Sequence, residues 1–507
     1  MSHRRHTGEG LIGVYKITVP EIHFVGFDRI LGVVIPDVMG GTPDAIRRCW
    51  RDTGHPPLVL ISTPKKREFL ANYFRNEIFQ AIILDANDVK NITLADEPGR
   101  ALLDGMASQV DLAALSPFQT AGPVSDMFYG RTEELTLLLA SLERPNQKNH
   151  AVVGPRRVGK TSLLHRVRAE LRARKGWDTV YIDVSSFGTV SDPTERLHAF
   201  FQALLDKLDI PGAGTSQGFI AAMGTKYGGN RKSRLAIFVD EVDDLLQAHA
   251  RDGQDILPRT IRTLINEFDV KVVLAGYKTL YFQMHNEKSA LFNMSDRLPL
   301  AALDEASAEA LIRDPLNNVV EISRDVVHGI CERTGRFPNF IQICCRLLLE
   351  RPRVQQSRRI TWDDVREVTQ SRAFFEHIVE AYVQNLQELS KLIFYLSLSY
   401  YDVKAQRFTW EEASAGKRKR KHLIPDQIRF TSYDIHGIVE KVGVKLTDRE
   451  LHAVMDELLL ACVLMPTEGA NYRFVLPDLP ELMQSHEQIL EATVNMLEQA
   501  REGFLHY

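Results

Sequence analysis

Apolar residues in the middle of the chain come in short unbroken runs separated by amphipathic stretches. Ala151–Val153, Leu235–Val239 and "VKVVLAGY" (270–277) show no polar alternation, the pattern of strands buried on both faces of a parallel sheet. "DTVYIDVSS" (178–186) supplies another strand, and the stretches near 193–208 and 256–268 read as helices. Strands alternating with helices predict an α/β protein with a three-layer parallel sheet.

Residues 1–118 repeat this alternation on a smaller scale. "RILGVVIPDV" (29–38), "PPLVLIS" (57–62) and "QAIILDANDV" (80–89) read as strands, with helices over 43–54 and 65–79. A small α/β domain with about three parallel strands is expected. Acids fall at strand ends, at Asp37, Asp85 and Asp88, but no Glu-x-Lys follows on a neighbouring strand as a restriction-type nuclease needs. A sensor or docking domain, or an inactive nuclease-like one, is the reading. "LSPFQTAGPVSDMF" (115–128) is the linker that follows.

The pattern changes after residue 380. Helices are predicted over 386–401, over 431–443 with Gly443 ending it, and over 446–461. Thr447 followed three residues later by Glu450 forms a capping box. "CVLMPTEGANYRFVL" (462–476) then predicts two strands about a Glu-Gly turn, so the segment reads as a winged helix. The tail, 481–504, is an amphipathic helix that packs on the wing or on a partner. The third helix offers Asp448, Glu450, Asp456 and Glu457 against Arg449 alone, and 429–480 holds five Lys/Arg against eight Asp/Glu. That balance repels phosphate and favours a protein-binding role for the winged helix. Basic charge is instead concentrated in "GKRKRKH" (416–422), within an insertion after the first helix. This tract binds nucleic acid or stays solvated.

Composition adds limits. The chain has 507 residues, 44% hydrophobic and 25% charged, with a formal net charge of −4, which excludes a protein coated along its length in nucleic acid. No apolar run approaches the about 18 residues of a membrane span, and residues 1–10 lack the apolar stretch of a secretory signal. No membrane partner is expected. The five cysteines (Cys49, Cys331, Cys344, Cys345, Cys462) form no Cys-x-x-Cys pair, so reduced thiols and a cytoplasmic location are expected rather than disulfides or zinc.

Chemistry concentrates in "HAVVGPRRVGKTSLLHRV" (150–167). Gly154-Pro155-Arg156-Arg157-Val158-Gly159-Lys160-Thr161-Ser162 fits G-x-x-x-x-G-K-[ST] between a strand and a helix. Unpaired N–H groups at a helix N-terminus bind anions. The two glycines let the backbone wrap a β-phosphate, Lys160 reaches the β- and γ-phosphates, and Thr161 ligates Mg²⁺. Lys160 is expected to face solvent. "RLAIFVDEVDDL" (234–245) ends its apolar run in Asp240-Glu241. Asp240 would complete the magnesium shell, and Glu241 would polarise the attacking water. ATP and Mg²⁺ are the expected cofactors.

With "MFYGRTEELTLL" (127–138) before the loop, and "DRLPLAALDEASAEALIRDPL" (296–316) and "ERTGRFPNFIQICCRLLLE" (332–350) after the fourth strand, residues 125–370 resemble the initiator-like (origin-recognition-like) AAA+ and STAND-type ATPases of bacteria and archaea. The resemblance implies a helical lid after the core and an adenine site near Tyr129, Gly130 and Arg131. It implies a first sensor at Thr279. Arg336 replaces a second glycine of the family pattern, and is either a γ-phosphate sensor with a catalytic role beside Lys160 and Glu241 or a solvated lid residue. Arg297 stands where some relatives place an arginine finger.

The domain reading is thus 1–118, a small α/β domain; 119–303, the P-loop core; 304–378, the lid; 379–480, a winged-helix-like domain with the basic insertion; and 481–507, a C-terminal helix. Two functions follow. One is an ATP-binding, slowly hydrolysing switch of signalling or defence, acting on a protein partner or by self-assembly. The alternative is a DNA-binding ATPase related to replication initiators or transposition regulators, using 416–422. The acidic third helix favours the first.

Overall fold

The computed structural model describes residues 2–4, 13–18, 29–35, 46–48, 58–74, 81–96, 127–144, 149–229, 234–250, 255–317, 320–378, 382–398, 429–476 and 487–501, with isolated residues and short pieces between them. These divide into two compact units: Met1–Gly122 with Ala306–Cys331 and Ile341–Phe374, and Pro123–Glu305 with Glu332–Phe340 and Phe375–Tyr507. Asp37, Cys49 and the basic tract 416–422 lie outside the described residues. No helix among the described residues is long and apolar enough to cross a membrane.

In the first unit, strands β1 (Ser2–Arg4), β2 (Gly13–Thr18), β3 (Arg29–Ile35), β4 (Leu58–Ser62) and β5 (Ala81–Asp85) form one sheet in that order. The three predicted strands are its parallel half. The sequence pattern misses β1 and β2, which add antiparallel to the β3 edge; "GVYKIT" carries too few apolar residues to stand out. Leu31, Val33, Leu60 and Ile83 meet Ile46, Leu70 and Phe74 in the core. The strand expected over 80–89 stops at Asp85. The Asp85 carboxylate accepts the N–H groups of Asn87 and Asp88 and starts a helix, Ala86–Leu94. The helices of residues 306–374 and a short parallel pairing of Glu321–Ile322 with Arg359–Ile360 belong mainly to this unit.

In the second unit, β6 (Asn149–Val153), β7 (Trp177–Asp183), β8 (Arg234–Asp240), β9 (Lys271–Gly276) and β10 (Ser295–Pro299) form a fully parallel sheet ordered β10-β6-β9-β8-β7. β6 and β9 are buried along their described length, as unbroken apolar runs require. Val180, Ile182, Ile237, Val239, Val272 and Leu274 pack with Phe200, Phe201, Leu204 and Leu264 of the helices at 193–207 and 256–268. The helix Ser216–Tyr227 is not evident in the sequence, because Gly218, Ala221, Ala222 and Gly224 dilute its apolar stripe.

The predicted winged helix is present in the same unit. Helices cover 388–398, Ser432–Lys441 and Asp448–Leu460, and Leu464–Thr467 pairs antiparallel with Asn471–Phe474. The Thr447–Glu450 capping box is formed. Phe394, Phe430 and Phe474 meet in its core.

The tip of β9 is pinned by one carboxylate. Asp243, on the helix after β8, accepts the backbone N–H groups of Tyr277, Thr279 (2.7 Å) and Leu280 (3.2 Å). It thereby caps the helix Lys278–His285. Any Cβ at Gly276 would strike the same carboxylate. Removing such a cap costs about 1–2 kcal/mol. Asp243→Ala is therefore expected to lower unfolding stability by about that amount, read from the denaturant midpoint at constant slope; an unchanged midpoint would refute the role.

Candidate functional site

The phosphate loop leaves the C-terminal end of β6 and enters the helix Lys160–Arg172. Gly154 donates its N–H to the Gly276 carbonyl (3.3 Å), and a Cβ there would lie 2.8 Å from the Leu300 carbonyl oxygen. Only glycine fits. Gly159 has φ 104°, a left-handed conformation that glycine adopts without strain. Pro155 and Val158 are buried, whereas Arg156 and Arg157 are exposed. Thr161 and Ser162 are half-buried in the first helical turn.

Lys160 does not face solvent as expected. Its side chain is 3% exposed. The loop folds over it, and Nζ donates to the carbonyls of Gly154 and Pro155, each at 3.1 Å. Glu241 Oε1 lies 3.9 Å away. The ammonium group thus bridges the loop and the acidic tip of β8, with donors that a phosphate oxygen can take over.

Asp240 is 1% exposed. Its Oδ2 accepts the Tyr181 hydroxyl and its Oδ1 the Glu241 backbone N–H, both at 3.0 Å. Glu241 has φ 51°, so the chain turns sharply between the two acids. Burial lifts the Glu241 carboxyl above the ordinary glutamate range; Lys160 opposes this, and Asp240 and Asp243 add to it. Burial, then the Asp240 charge, raise the Tyr181 phenol. The oxygens of Asp240 and Thr161 are the hard donors that magnesium selects, and they fit that ion beside a phosphate cradle.

Gly130 and Arg131 both have positive φ, 71° and 60°. The Arg131 guanidinium is buried, donating to the carbonyls of Val158 (3.3 Å) and Ala301 and to Glu134 (3.0 Å). It ties the phosphate loop to the segment after β10. Tyr129 beside it is half-buried. The Thr279 hydroxyl accepts from Gln247 (2.9 Å). Arg297 contacts the ring nitrogen of His285 and lies 5.9 Å from the Tyr281 ring centroid. Arg336, at φ 59°, occupies a turn whose carbonyl accepts the Leu303 N–H (3.0 Å). In the first unit, Asp85 and Asp88 are drawn to Arg67, at 3.3 and 2.8 Å, and serve the cap already described.

One expectation about the winged helix is corrected. Glu457 is not a surface acid. Its side chain is 0% exposed; it pairs with Lys278 of the helix after β9 and accepts the Gln387 N–H (3.0 Å) and the Ser390 hydroxyl. Its spacing from Val454 and Leu458 puts it on the inward face of its helix, as apolar neighbours foretell. Tyr181, Asp243 and Lys278 are the residues that sequence reasoning missed.

Residues 130–304 match the family described as Bacterial TniB protein, over about a third of the chain. No curated protein matches the sequence. Among solved structures, the Walker-type ATPase PABY2304 of Pyrococcus abyssi is 15% identical, covering 70% of this chain and 96% of its own, with a TM-score of 0.45. The Aeropyrum pernix ORC2 protein (ADPNP–ADP complexes) is 12% identical, covering 73% and 94%, with a TM-score of 0.46. The Aeropyrum pernix ORC1 protein in complex with DNA is 15% identical, covering 75% and 95%, with a TM-score of 0.37. The phosphate loop on a central parallel strand, the strand order around it and the match over 130–304 identify this chain as a P-loop ATPase of the AAA+ class, similar over its core to the Bacterial TniB proteins.

Proposed function

We propose that this ATPase handles DNA as a transposition regulator, and that ATP with Mg²⁺ at the 154–162 loop controls the winged helix. The observation that carries this reading is the match of 130–304 to the Bacterial TniB family. The order of the two functions drawn from sequence is thereby reversed, with the signalling or defence switch giving way. The geometry weakens the objection to DNA. With Glu457 paired to Lys278 and Glu450 engaged in its capping box, Asp448 and Asp456 remain as exposed acids on the third helix, beside Arg449 and His452. In this reading Lys160 and Thr161 hold the phosphates and magnesium, Asp240 completes the metal shell, and Glu241 activates water. The loop 416–422 supplies the groups that neutralise phosphates on the duplex.

The route for nucleotide control is short. Gly154 bonds to Gly276, the next residues are capped by Asp243, and Lys278 in the same turn meets Glu457. A loop that shifts on binding ATP therefore acts on the third helix of the winged helix through one backbone hydrogen bond, the capped turn 276–278 and one ion pair.

Three outcomes are expected. Lys160→Ala should abolish ATP binding by calorimetry, because it removes the mobile cation for the β- and γ-phosphates; undiminished affinity would sink the phosphate-loop assignment. Duplex binding by the full chain with ATP-Mg²⁺ should show a steep log–log salt slope. Serine at Lys417, Arg418, Lys419, Arg420 and Lys421 should reduce that slope by up to about 0.9 for each phosphate no longer neutralised. Weak, salt-insensitive binding that the substitutions leave alone would overturn the DNA reading. Finally, Glu457→Gln, which retains the size of the side chain, should leave ATP affinity unchanged and bring the ratio of duplex affinities with ATP and ADP close to one. A wild-type ratio in that variant would exclude the Lys278–Glu457 route.

A further inference from the structure

Tyr181 lies on β7, and β7 runs parallel to β8 with Tyr181 opposite Phe238 and Asp183 opposite Asp240. Residues two apart share a sheet face, so Tyr181 and Asp240 lie on neighbouring strands, one pair out of step. Strands sit about 4.8 Å apart and rise about 3.3 Å per residue, a diagonal that a tyrosine spans and a shorter hydroxyl does not. The phenol oxygen stands 3.0 Å from Asp240 Oδ2. The other face of the contact is the phosphate-loop helix: the His165 ring lies 4.3 Å from the Tyr181 ring, inclined by 35°. One side chain on a strand with neither sequence motif therefore touches the elements that carry both.

A carboxylate has about four acceptor directions. On Asp240, the Glu241 N–H takes one on Oδ1 and the Tyr181 hydroxyl one on Oδ2. A carboxylate held at both oxygens in a nearly closed site cannot rotate freely. The directions left are those with which it can meet a metal or the metal's waters. Magnesium demands near-ideal octahedral geometry and keeps several waters, so a small turn of this carboxylate misdirects it.

We propose that Tyr181 is a positioning residue for the magnesium acid, fixing the plane of the Asp240 carboxylate and keying it to the phosphate-loop helix through His165. The proposal rests on the reading of Asp240 as the acid that serves magnesium. A tyrosine that only filled space would act through its ring, which phenylalanine retains.

The test is the affinity of the full chain for a fluorescent ATP analogue, measured in EDTA and in saturating Mg²⁺, with the ratio of the two affinities as the readout. Tyr181→Phe should leave the EDTA affinity at the wild-type value, which also reports that the loop is folded. It should lower the Mg²⁺-dependent ratio by about tenfold, the lower end of what partners of metal ligands contribute. Asp240→Asn should remove most of the ratio, and the double variant should be no worse than Asp240→Asn alone. If Tyr181→Phe retains the wild-type ratio while Asp240→Asn loses it, the positioning role is overturned and the magnesium acid stands. If Asp240→Asn itself retains the ratio, the reading of Asp240 fails and takes the proposal with it. A double variant with fully additive losses would show that Tyr181 acts on something other than Asp240, and would also overturn it. As a second readout, the line shape of bound Mn²⁺ in electron paramagnetic resonance should broaden in Tyr181→Phe, as a less uniform ligand sphere requires; an unchanged spectrum counts against the role.

Discussion

Strand β9 ends in two backbone carbonyls that hold the two halves of the candidate site in place. The Ala275 carbonyl accepts the N–H of Val242, directly after Glu241 (3.1 Å), and the Gly276 carbonyl accepts the N–H of Gly154 (3.3 Å). Because β9 lies between β6 and β8 in a parallel sheet, the three strands finish side by side, and the last carbonyls of β6 and β9 accept N–H groups from the loops beside them. A buried backbone group left without a partner is costly. The loops must therefore come to the tip of β9, and residues 154–162 and the two acids come with them. The glycine at 276 follows from the same crowding, since Asp243 fills the space a side chain would need.

Two paired cations then set the charge balance, Lys160 buried and Lys278 partly buried. Lys160 is surrounded by carbonyl oxygens and faces Glu241. Lys278 faces Glu457, whose other neighbours are the Gln387 N–H and the Ser390 hydroxyl. Breaking a buried pair by removing one partner costs about 3–5 kcal/mol, far more than a surface pair contributes. Glu457 is fully buried while Lys278 is 17% exposed, so loss of the lysine would leave a buried carboxylate without its cation.

Much of this is legible in the sequence where the controlling interaction is local. The strand–loop–helix pattern at 150–167, the acid pair closing the run at 235–241 and the Thr447–Glu450 box each depend on residues within a few positions, and the structure forms the strands, helices and cap they imply. The unread parts depend on distant residues. Tyr181 and Asp240 are 59 positions apart, Asp243 and Thr279 are 36 apart, and Lys278 and Glu457 are 179 apart. A tyrosine in a strand, an aspartate in a first helical turn and a glutamate on a charged helix each look ordinary until the sheet order is known. The burial of Lys160 escapes the sequence for a related reason: a loop built to enclose a phosphate also encloses its lysine. Arg131 shows the converse. Its family pattern is plain in the sequence, but its guanidinium is committed to the Val158 and Ala301 carbonyls, so its contribution at this site is to hold the loop's shape.

The third helix of the winged helix presents Asp448 and Asp456 outward, and Asp456 is close enough to Tyr281 that, after burial, its charge raises that phenol. In its C-terminal half Glu457 pairs with Lys278 of the ATPase helix 278–285, and Asp448 and Arg449 are exposed in its first turn. With Arg449 set against Asp448 and Asp456, that surface offers phosphate little attraction. On the DNA reading, affinity must come from the five cations at 417–421, and the winged helix contributes position. Affinity of that origin is independent of base sequence, because phosphate contacts set register without reading bases. On that reading, a core that recognises ATP closely and a duplex only by charge would have its specificity in timing: the nucleotide would decide when DNA is held, and a further partner would decide where.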